Sequence, residues 1–285
     1  MPRPLALPGK PRPYVMAHRG NRVACPENTL ASFRRAIADG ADILETDLHL
    51  TSDGAFVCIH DGAVDRTTDG HGAVAEMTLE QIKRLSASYG RPEFAGERVP
   101  TLHELAHLLP ADVALALELK TDRFLEPEIC RRLVDELSAA KVLERTVVLS
   151  FHLPRVQAVR AVEPEMPIGW ITLSRAWPMA GVEMLGPLWP LLLLNPLYAA
   201  LARRRGQAVC PLDPPGMRSL LPMREVHPAH IHPGADHLPQ HIGLFARRAQ
   251  GADDLRVRQA SPSPDDPSHG VSASPTRGRW SRDCR

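Results

Sequence analysis

Short apolar runs alternate with amphipathic segments from Tyr14 to about Asp213. The runs have the length of buried strands, and several segments between them carry apolar residues at helical spacing. This rhythm predicts repeated β/α units and a parallel sheet, which places the chain in the α/β class. The predicted strands are Tyr14–Ala17, Ile43–Leu48, Ala55–Ile59, Val113–Leu119, Thr146–Phe151, Ile168–Thr172, Leu191–Leu194 and Gln207–Cys210.

Helix start and stop signals separate many of these strands. Asn28 is a candidate N-cap for the first helix, and Gly40 is a candidate stop. Thr78 and Thr101 are each followed three residues later by Gln or Glu, which is the spacing of a capping box. Further helices are predicted over Glu128–Ala140, Arg155–Val162 and Leu197–Arg205.

The length of 285 residues suits one large domain with tails. We expect a flexible N-terminal lead-in over 1–13 and a TIM-type (β/α)8 barrel over 14–213, with a small insertion at about 62–109. Periodic apolar positions stop near residue 213, so the barrel is expected to be incomplete or irregular at its C-terminal end. Residues 214–285 are expected to form a disordered tail, in which only Ile242–Arg248 has the pattern of a short helix.

Charge and cysteine usage narrow the class of partner. The net charge of +1 provides no overall field for nucleic acid, so a small anionic substrate would need a local site. Five scattered cysteines indicate neither a disulfide framework nor a zinc site, which favours a cytoplasmic location. Prolines interrupt the apolar stretch Met184–Leu201, so no stable membrane span is expected. The oligomeric state is not indicated.

Charged side chains lie in or directly after four of the predicted strands. Side chains two apart on a strand share a face, so inward-facing groups would converge at the carboxyl rim, where β/α barrels place their active sites. The candidates are His18 and Arg19 on the first strand, Glu45 and Asp47 on the second, His60 on the third, and Glu118 and Lys120 on the fourth.

The carboxylates and histidines of this set suit hydrolytic chemistry. Glu45, Asp47 and Glu118 would repel one another unless a cation lay between them, and oxygen ligands favour a divalent cation such as Mg²⁺ or Ca²⁺. Two histidines, His18 and His60, can divide the roles of general base and general acid near neutral pH.

The basic residues suit a phosphate group. Arg19 and Lys120 supply a planar fork and a point charge, and together with the metal ligands they indicate phosphoryl transfer. Lys120 could instead neutralise a neighbouring carboxylate. Glu27 and Asn28, before the first helix, and Asp61, beside the third strand, are either local structural residues or part of the site.

Six segments in this order and spacing resemble the glycerophosphodiester phosphodiesterase family: AHRGNRVACPENTLASF, LETDLHLTSDG, VCIHD, DRTTDGHG, VPTLHEL and LELK. The resemblance implies hydrolysis of glycerophosphodiesters to an alcohol and glycerol 3-phosphate on a barrel with a bound divalent cation. It also implies roles for particular residues: His18 and His60 in acid/base catalysis, Glu45, Asp47 and Glu118 in metal binding, and Arg19 and Lys120 in contact with the phosphate of the substrate.

Two departures from the family pattern keep alternatives open. AVCPLDP stands around Cys210 in place of a Trp-Thr-Val-Asn-like segment, and nothing after Asp213 resembles the family's Gly-x-x-x-Thr-Asp-x-Pro-like ending. The alternatives are a catalytically impaired barrel that binds metal or phosphate ligands, and a lysophospholipase D-like activity. A shifted reading frame near codon 214 is a further hypothesis for the second departure. A glycosidase is disfavoured, because a sugar ring offers no phosphate for the basic pair.

Overall fold

The computed structural model describes Leu7, Lys10, residues 13–212 and a strand at Ile242–Phe245. The chain divides into two units, Met1–Arg248 and Ala249–Arg285, and all described residues lie in the first. Apart from that strand, the predicted tail lies outside the described residues, and the predicted domain bounds stay predictions. The strand differs from the short helix predicted over Ile242–Arg248, because its backbone pairs with another strand.

One sheet contains all the described strands. Its order is β8-β7-β6-β5-β4-β2-β1-β9, and β3 pairs with β2 outside this path. The seven strands β1, β2 and β4 to β8 run parallel, whereas β3 and β9 are antiparallel to their neighbours. The arrangement is an incomplete TIM-type β/α barrel, as predicted. The strands are β1 (Tyr14–His18), β2 (Ile43–Leu50), β3 (Phe56–Cys58), β4 (Ala114–Leu119), β5 (Thr146–Ser150), β6 (Ile168–Thr172), β7 (Met184–Pro187), β8 (Ala208–Val209) and β9 (Ile242–Phe245).

The helices begin at the signals that the sequence provides. The capping boxes predicted at Thr78 and Thr101 are both confirmed. At the first helix the N-cap is Thr29, not Asn28, and its hydroxyl accepts from the N–H of Ser32. The helices are α1 (Leu30–Ala38), α2 (Leu79–Arg84), α3 (Leu102–Leu108), α4 (Pro127–Ala139), α5 (Leu153–Val162), α6 (Pro190–Leu194) and α7 (Tyr198–Arg204).

Alternate residues of the parallel strands pack on opposite sides of the sheet. Leu115 belongs to the cluster that the helices cover, whereas Ala116 belongs to the cluster inside the barrel. Glu118, two residues further along β4, continues the inward series. Ile43 of β2 also belongs to the inner cluster, so Glu45 points inward as well. The predicted convergence of charged groups therefore follows from the pleat of the two strands.

The predicted third strand is not part of the parallel barrel. β3 forms an antiparallel hairpin with β2, and β4 lies directly beside β2. The turn uses Gly54 at a φ of +83°, and the Thr51 hydroxyl accepts from the N–H of Ala55 at 2.8 Å. Because the chain reverses here, the N–H of Ile59 donates to the carbonyl of Asp47 at 3.0 Å. The hairpin thus brings the residue after Ile59 beside the inner acidic groups.

The predicted strand at Leu191–Leu194 is wrong, because these residues form most of α6. Pro190 stands in the first helical turn, where its fixed φ is favourable. Leu193 and Leu194 are exposed, so this apolar run does not form a buried strand. The strand of this region is β7, which precedes the run. No helix within the described part of the chain is long and apolar enough to cross a membrane.

Candidate active site

Three buried carboxylates meet on the inner face of the barrel. Glu45 and Asp47 come from β2 and Glu118 from β4, and the strand register places Asp47 beside Glu118. One oxygen atom from each carboxylate lies within 4.8 Å of the other two. Burying three acidic groups at this separation is unfavourable unless positive charge compensates them.

Two basic side chains compensate part of this charge. The Lys120 ammonium donates to Glu118 Oε1 at 2.9 Å and lies 3.3 Å from Asp47 Oδ1. Arg19 Nε lies 3.2 Å from Asp47 Oδ2. Asp47 Oδ1 is buried and accepts no hydrogen bond from the described residues that satisfies normal geometry. When all three carboxylates are ionised, these two cationic side chains leave one negative charge uncompensated.

The pKa values of the three carboxyl groups diverge. Burial, followed by repulsion from Asp47, raises the pKa of Glu45 well above its usual value and also raises the pKa of Glu118. Burial opposes ionisation of Asp47 too, but Arg19 and Lys120 hold the pKa of this residue at about 2. Asp47 is therefore a permanent anion, and the two glutamates resist ionisation until more positive charge is close to them.

The two histidines lie above the carboxylates and reach solvent. His18 ends β1, its side chain is 35% exposed, and its Nε2 lies 3.8 Å from Glu45 Oε2. Burial and the nearby Arg19 lower the pKa of His18 to about 3. The His60 side chain is 31% exposed, and its Nδ1 lies 2.6 Å from Asp61 Oδ1. His18 therefore lies beside the acidic cluster and His60 beside Asp61, and each imidazole is exposed enough to contact a ligand at the rim.

A chain of ion pairs connects the two histidine-bearing strand ends. Arg66 donates to Asp61 Oδ2 at 2.6 Å and to Glu27 Oε1 at 2.7 Å. Arg19 donates to the same Glu27 oxygen at 3.1 Å. Arg66 and the adjacent His60 hold the pKa of Asp61 well below its usual range, so Asp61 stays anionic. The sequence interpretation did not single out Arg66, although it lies in the family-like segment DRTTDGHG.

Asn28 contacts the acidic cluster and does not cap the helix. Its backbone has a φ of +53°, which turns the side chain toward the acidic cluster. The amide donates to Asp47 Oδ2 at 2.9 Å, and the amide oxygen accepts from the Thr46 hydroxyl at 2.8 Å. Asn28 is buried and holds one oxygen of Asp47 in place. Nε2 of His49 lies 3.2 Å from the carbonyl oxygen of His60.

Comparison with known proteins gives consistent results. A model of the glycerophosphoryl diester phosphodiesterase family matches residues 18–202. A glycerophosphodiester phosphodiesterase of Caldanaerobacter subterraneus is 42% identical over 171 residues, which are 58% of this chain and 70% of that protein. Glycerophosphodiester phosphodiesterase 1 of Bos taurus is 38% identical over 153 residues, which are 52% of this chain and 45% of that protein.

A solved structure adds evidence for the fold. It is an Oleispira antarctica phosphodiesterase in complex with the product sn-glycerol-3-phosphate. The two chains superpose with a TM-score of 0.62 at 29% identity, over 71% of this chain and 85% of the other. The fold and the rim residues define a β/α-barrel enzyme with an acidic site. With the family match covering more than half of its length, the chain belongs to the glycerophosphoryl diester phosphodiesterase family.

Proposed function

We propose that this chain hydrolyses small glycerophosphodiesters to an alcohol and glycerol 3-phosphate. The observation that carries the proposal is the meeting of three buried carboxylates within 4.8 Å, beside His18 at the barrel rim. Membership of the family supports the reaction type. The glycerol 3-phosphate bound to the Oleispira antarctica relative supports the product class.

We infer that Glu45, Asp47 and Glu118 hold a divalent cation, either Mg²⁺ or Ca²⁺. The fit is chemical: the donors are all carboxylate oxygens, the local charge is incompletely compensated, and Asp47 Oδ1 is buried without a well-formed hydrogen bond within the described residues. A cation bound there would neutralise charge that develops on the phosphate oxygens during hydrolysis.

The two histidines divide the proton transfers in this proposal. The lowered pKa of His18 keeps its imidazole neutral at pH 7. In this proposal the imidazole accepts the proton of the water that attacks phosphorus. His60 donates a proton to the alcohol oxygen as the P–O bond breaks. Ionised Asp61 accepts from Nδ1–H of His60 and stabilises the imidazolium, whose second proton is on Nε2 and is the one transferred to the alcohol oxygen.

Arg19 and Lys120 contribute positive charge in this proposal. Arg19 supports the acidic cluster through Asp47 and also lies at the rim, where a phosphate oxygen could accept from its guanidinium. Lys120 already pairs with Glu118 and Asp47, so its role as a neutralising partner is at least as well supported as phosphate contact.

Release of glycerol 3-phosphate from glycerophosphocholine tests the proposed activity. The full chain would be assayed with Mg²⁺, with Ca²⁺ and in excess chelator. We expect turnover with at least one of the two cations and its loss in chelator, because the carboxylate cluster then lacks its compensating charge. Full activity in chelator would contradict the metal role. Absence of turnover with both cations would favour the catalytically impaired alternative.

Asp61→Asn is expected to lower kcat by about tenfold and to change KM little. The amide keeps the shape of the carboxylate but loses the charge that stabilises a protonated His60 and binds Arg66. Steady-state kinetics on glycerophosphocholine measures both constants. Asp65→Asn is the matched control, because Asp65 forms a similar pair with an exposed histidine, His71, outside the site. Equal kcat values for the two variants would disprove the positioning role.

A further inference from the structure

We propose that the loops after β5, β6 and β7 dock the catalytic face of this protein on an anionic lipid surface. Six large apolar side chains on these three connections, two of them on the short helix α6, stand exposed, and we call them the apolar rim. Its members are Phe151, Leu173, Trp177, Leu193, Leu194 and Leu197.

The concentration of these side chains is unusual. Nine large apolar side chains are strongly exposed among the described residues, and six of the nine belong to the apolar rim. Single exposed apolar residues scattered over a surface are ordinary, whereas these six follow three neighbouring strands at one end of the sheet, which favours a contact surface. Trp177 is 62% exposed and Leu194, at the end of α6, is 75% exposed, so most of each side chain is in contact with solvent.

The position of the apolar rim ties it to the active site. The three loops leave the carboxyl ends of parallel strands, and Glu45, Asp47 and Glu118 face inward at the same end of neighbouring strands. In a β/α barrel this end is one face of the molecule. A flat surface that touches the apolar rim therefore lies across the mouth of the site.

The charges beside the apolar rim favour an anionic lipid surface as the partner. Residues 150–162 and 172–182 contain arginines but no Asp or Glu, and residues 184–202 contain no charged side chain. Of these arginines, Arg155 pairs with Asp122 and Arg160 with Glu183, whereas Arg175 is exposed and lies over the Trp170 ring. Aromatic and leucine side chains beside an arginine match the boundary between acyl chains and anionic headgroups.

A second copy of this chain is a poorer occupant of the apolar rim. A two-fold contact would bring two copies of Arg175 into one interface, and residues 172–182 around it supply no Asp or Glu to pair with them. An anionic lipid surface instead offers acyl chains to the leucines and negative headgroups to the arginine. The docking itself requires no hydrolysis, so it can be tested apart from the proposed activity.

Vesicle flotation with the full chain tests the docking. The vesicles would contain phosphatidylcholine alone or phosphatidylcholine with phosphatidylglycerol. We expect partitioning into the anionic vesicles, weaker at high salt, and a blue shift of tryptophan emission on binding. Leu194→Asp should lower the partition coefficient about tenfold or more. Arg175→Glu should lower it about fivefold or more for anionic vesicles only.

Two matched controls accompany these variants. Arg131→Glu reverses the charge of another exposed arginine, on α4, and should leave partitioning unchanged. Leu194→Met keeps an apolar side chain and should retain binding. The proposal is overturned if the chain binds neither vesicle, if it binds both equally, or if Leu194→Asp and Arg175→Glu bind like the unmodified chain. The proposal is also overturned if the chain forms a concentration-dependent dimer without lipid and Leu194→Asp prevents it. That result would identify a second copy of the chain as the occupant of the apolar rim.

Discussion

His18→Ala and His60→Ala are each expected to lower kcat on glycerophosphocholine by a factor of about 10² or more. Both imidazoles stand partly exposed above the acidic cluster, and neither belongs to a hydrophobic core cluster of the described residues. Removing one should abolish one proton transfer and leave the fold intact. Circular dichroism and thermal unfolding would check the fold, and steady-state kinetics would give kcat.

The two roles can be separated with a diester whose leaving group is p-nitrophenolate. This group leaves without a proton, so His60→Ala should recover much of its rate on that substrate, whereas His18→Ala should not. His71→Ala is the control, because His71 is exposed and pairs with Asp65 outside the site. Near-normal kcat in either active-site variant would show that the assigned residue has no catalytic role. If His18→Ala alone recovered its rate on the p-nitrophenyl diester, His18 would be the general acid and His60 the general base.

The inward convergence of the carboxylates was predictable from the sequence. Glu45 and Asp47 stand two apart on β2 among apolar neighbours, so one face of the strand carries both. The same period places Glu118 on the inner face of β4. Parallel pairing of the two strands then suffices to bring the three groups together. Local period and strand order thus determine the centre of the site.

Strand identity was less predictable, because short apolar runs fit more than one structure. Leu191–Leu194 has the composition of a buried strand, yet it forms most of a helix that begins at Pro190 and leaves Leu193 and Leu194 exposed. The β3 segment has strand composition and is a strand, but it pairs antiparallel with β2. Residue periodicity predicts neither outcome. The choice between helix and strand, and between parallel and antiparallel pairing, depends on which surfaces the rest of the chain covers.

The ion pairs around the site could not be derived from local pattern. Arg66 and Glu27 are 39 residues apart, and no spacing rule connects residues at that distance. Asn28 looked like a helix cap because Asn favours that position, but the adjacent Thr29 makes the capping contacts. The positive φ of Asn28 redirects its amide to Asp47, and this conformation is a tertiary result.

Glu45→Gln is expected to have opposite effects on stability without a divalent cation and with one. The pKa of Glu45 is raised in the folded protein above its ordinary value of 4.5, first by burial and then by Asp47. The folded protein therefore binds more protons than the unfolded chain above that pH, so this glutamate lowers stability as pH rises. In excess chelator at pH 8, the uncharged glutamine should make the variant at least as stable as the unmodified chain.

Added divalent cation should reverse that order. A ligand present at about 100 times its Kd stabilises the folded state by roughly 2.7 kcal/mol, and the unmodified chain should gain a corresponding rise in Tm. Glu45→Gln should lose most of this gain together with its turnover, because one anionic ligand is missing. Glu136→Gln is the matched control, since burial also raises the pKa of Glu136 but this residue lies on α4 away from the cluster. Thermal unfolding with and without Mg²⁺ or Ca²⁺ measures both effects. An equal cation-induced rise in Tm in Glu45→Gln and the unmodified chain would mean that Glu45 is not a ligand. Lower stability of the variant in chelator would mean that Arg19 and Lys120 alone compensate the Glu45 carboxylate of the unmodified chain.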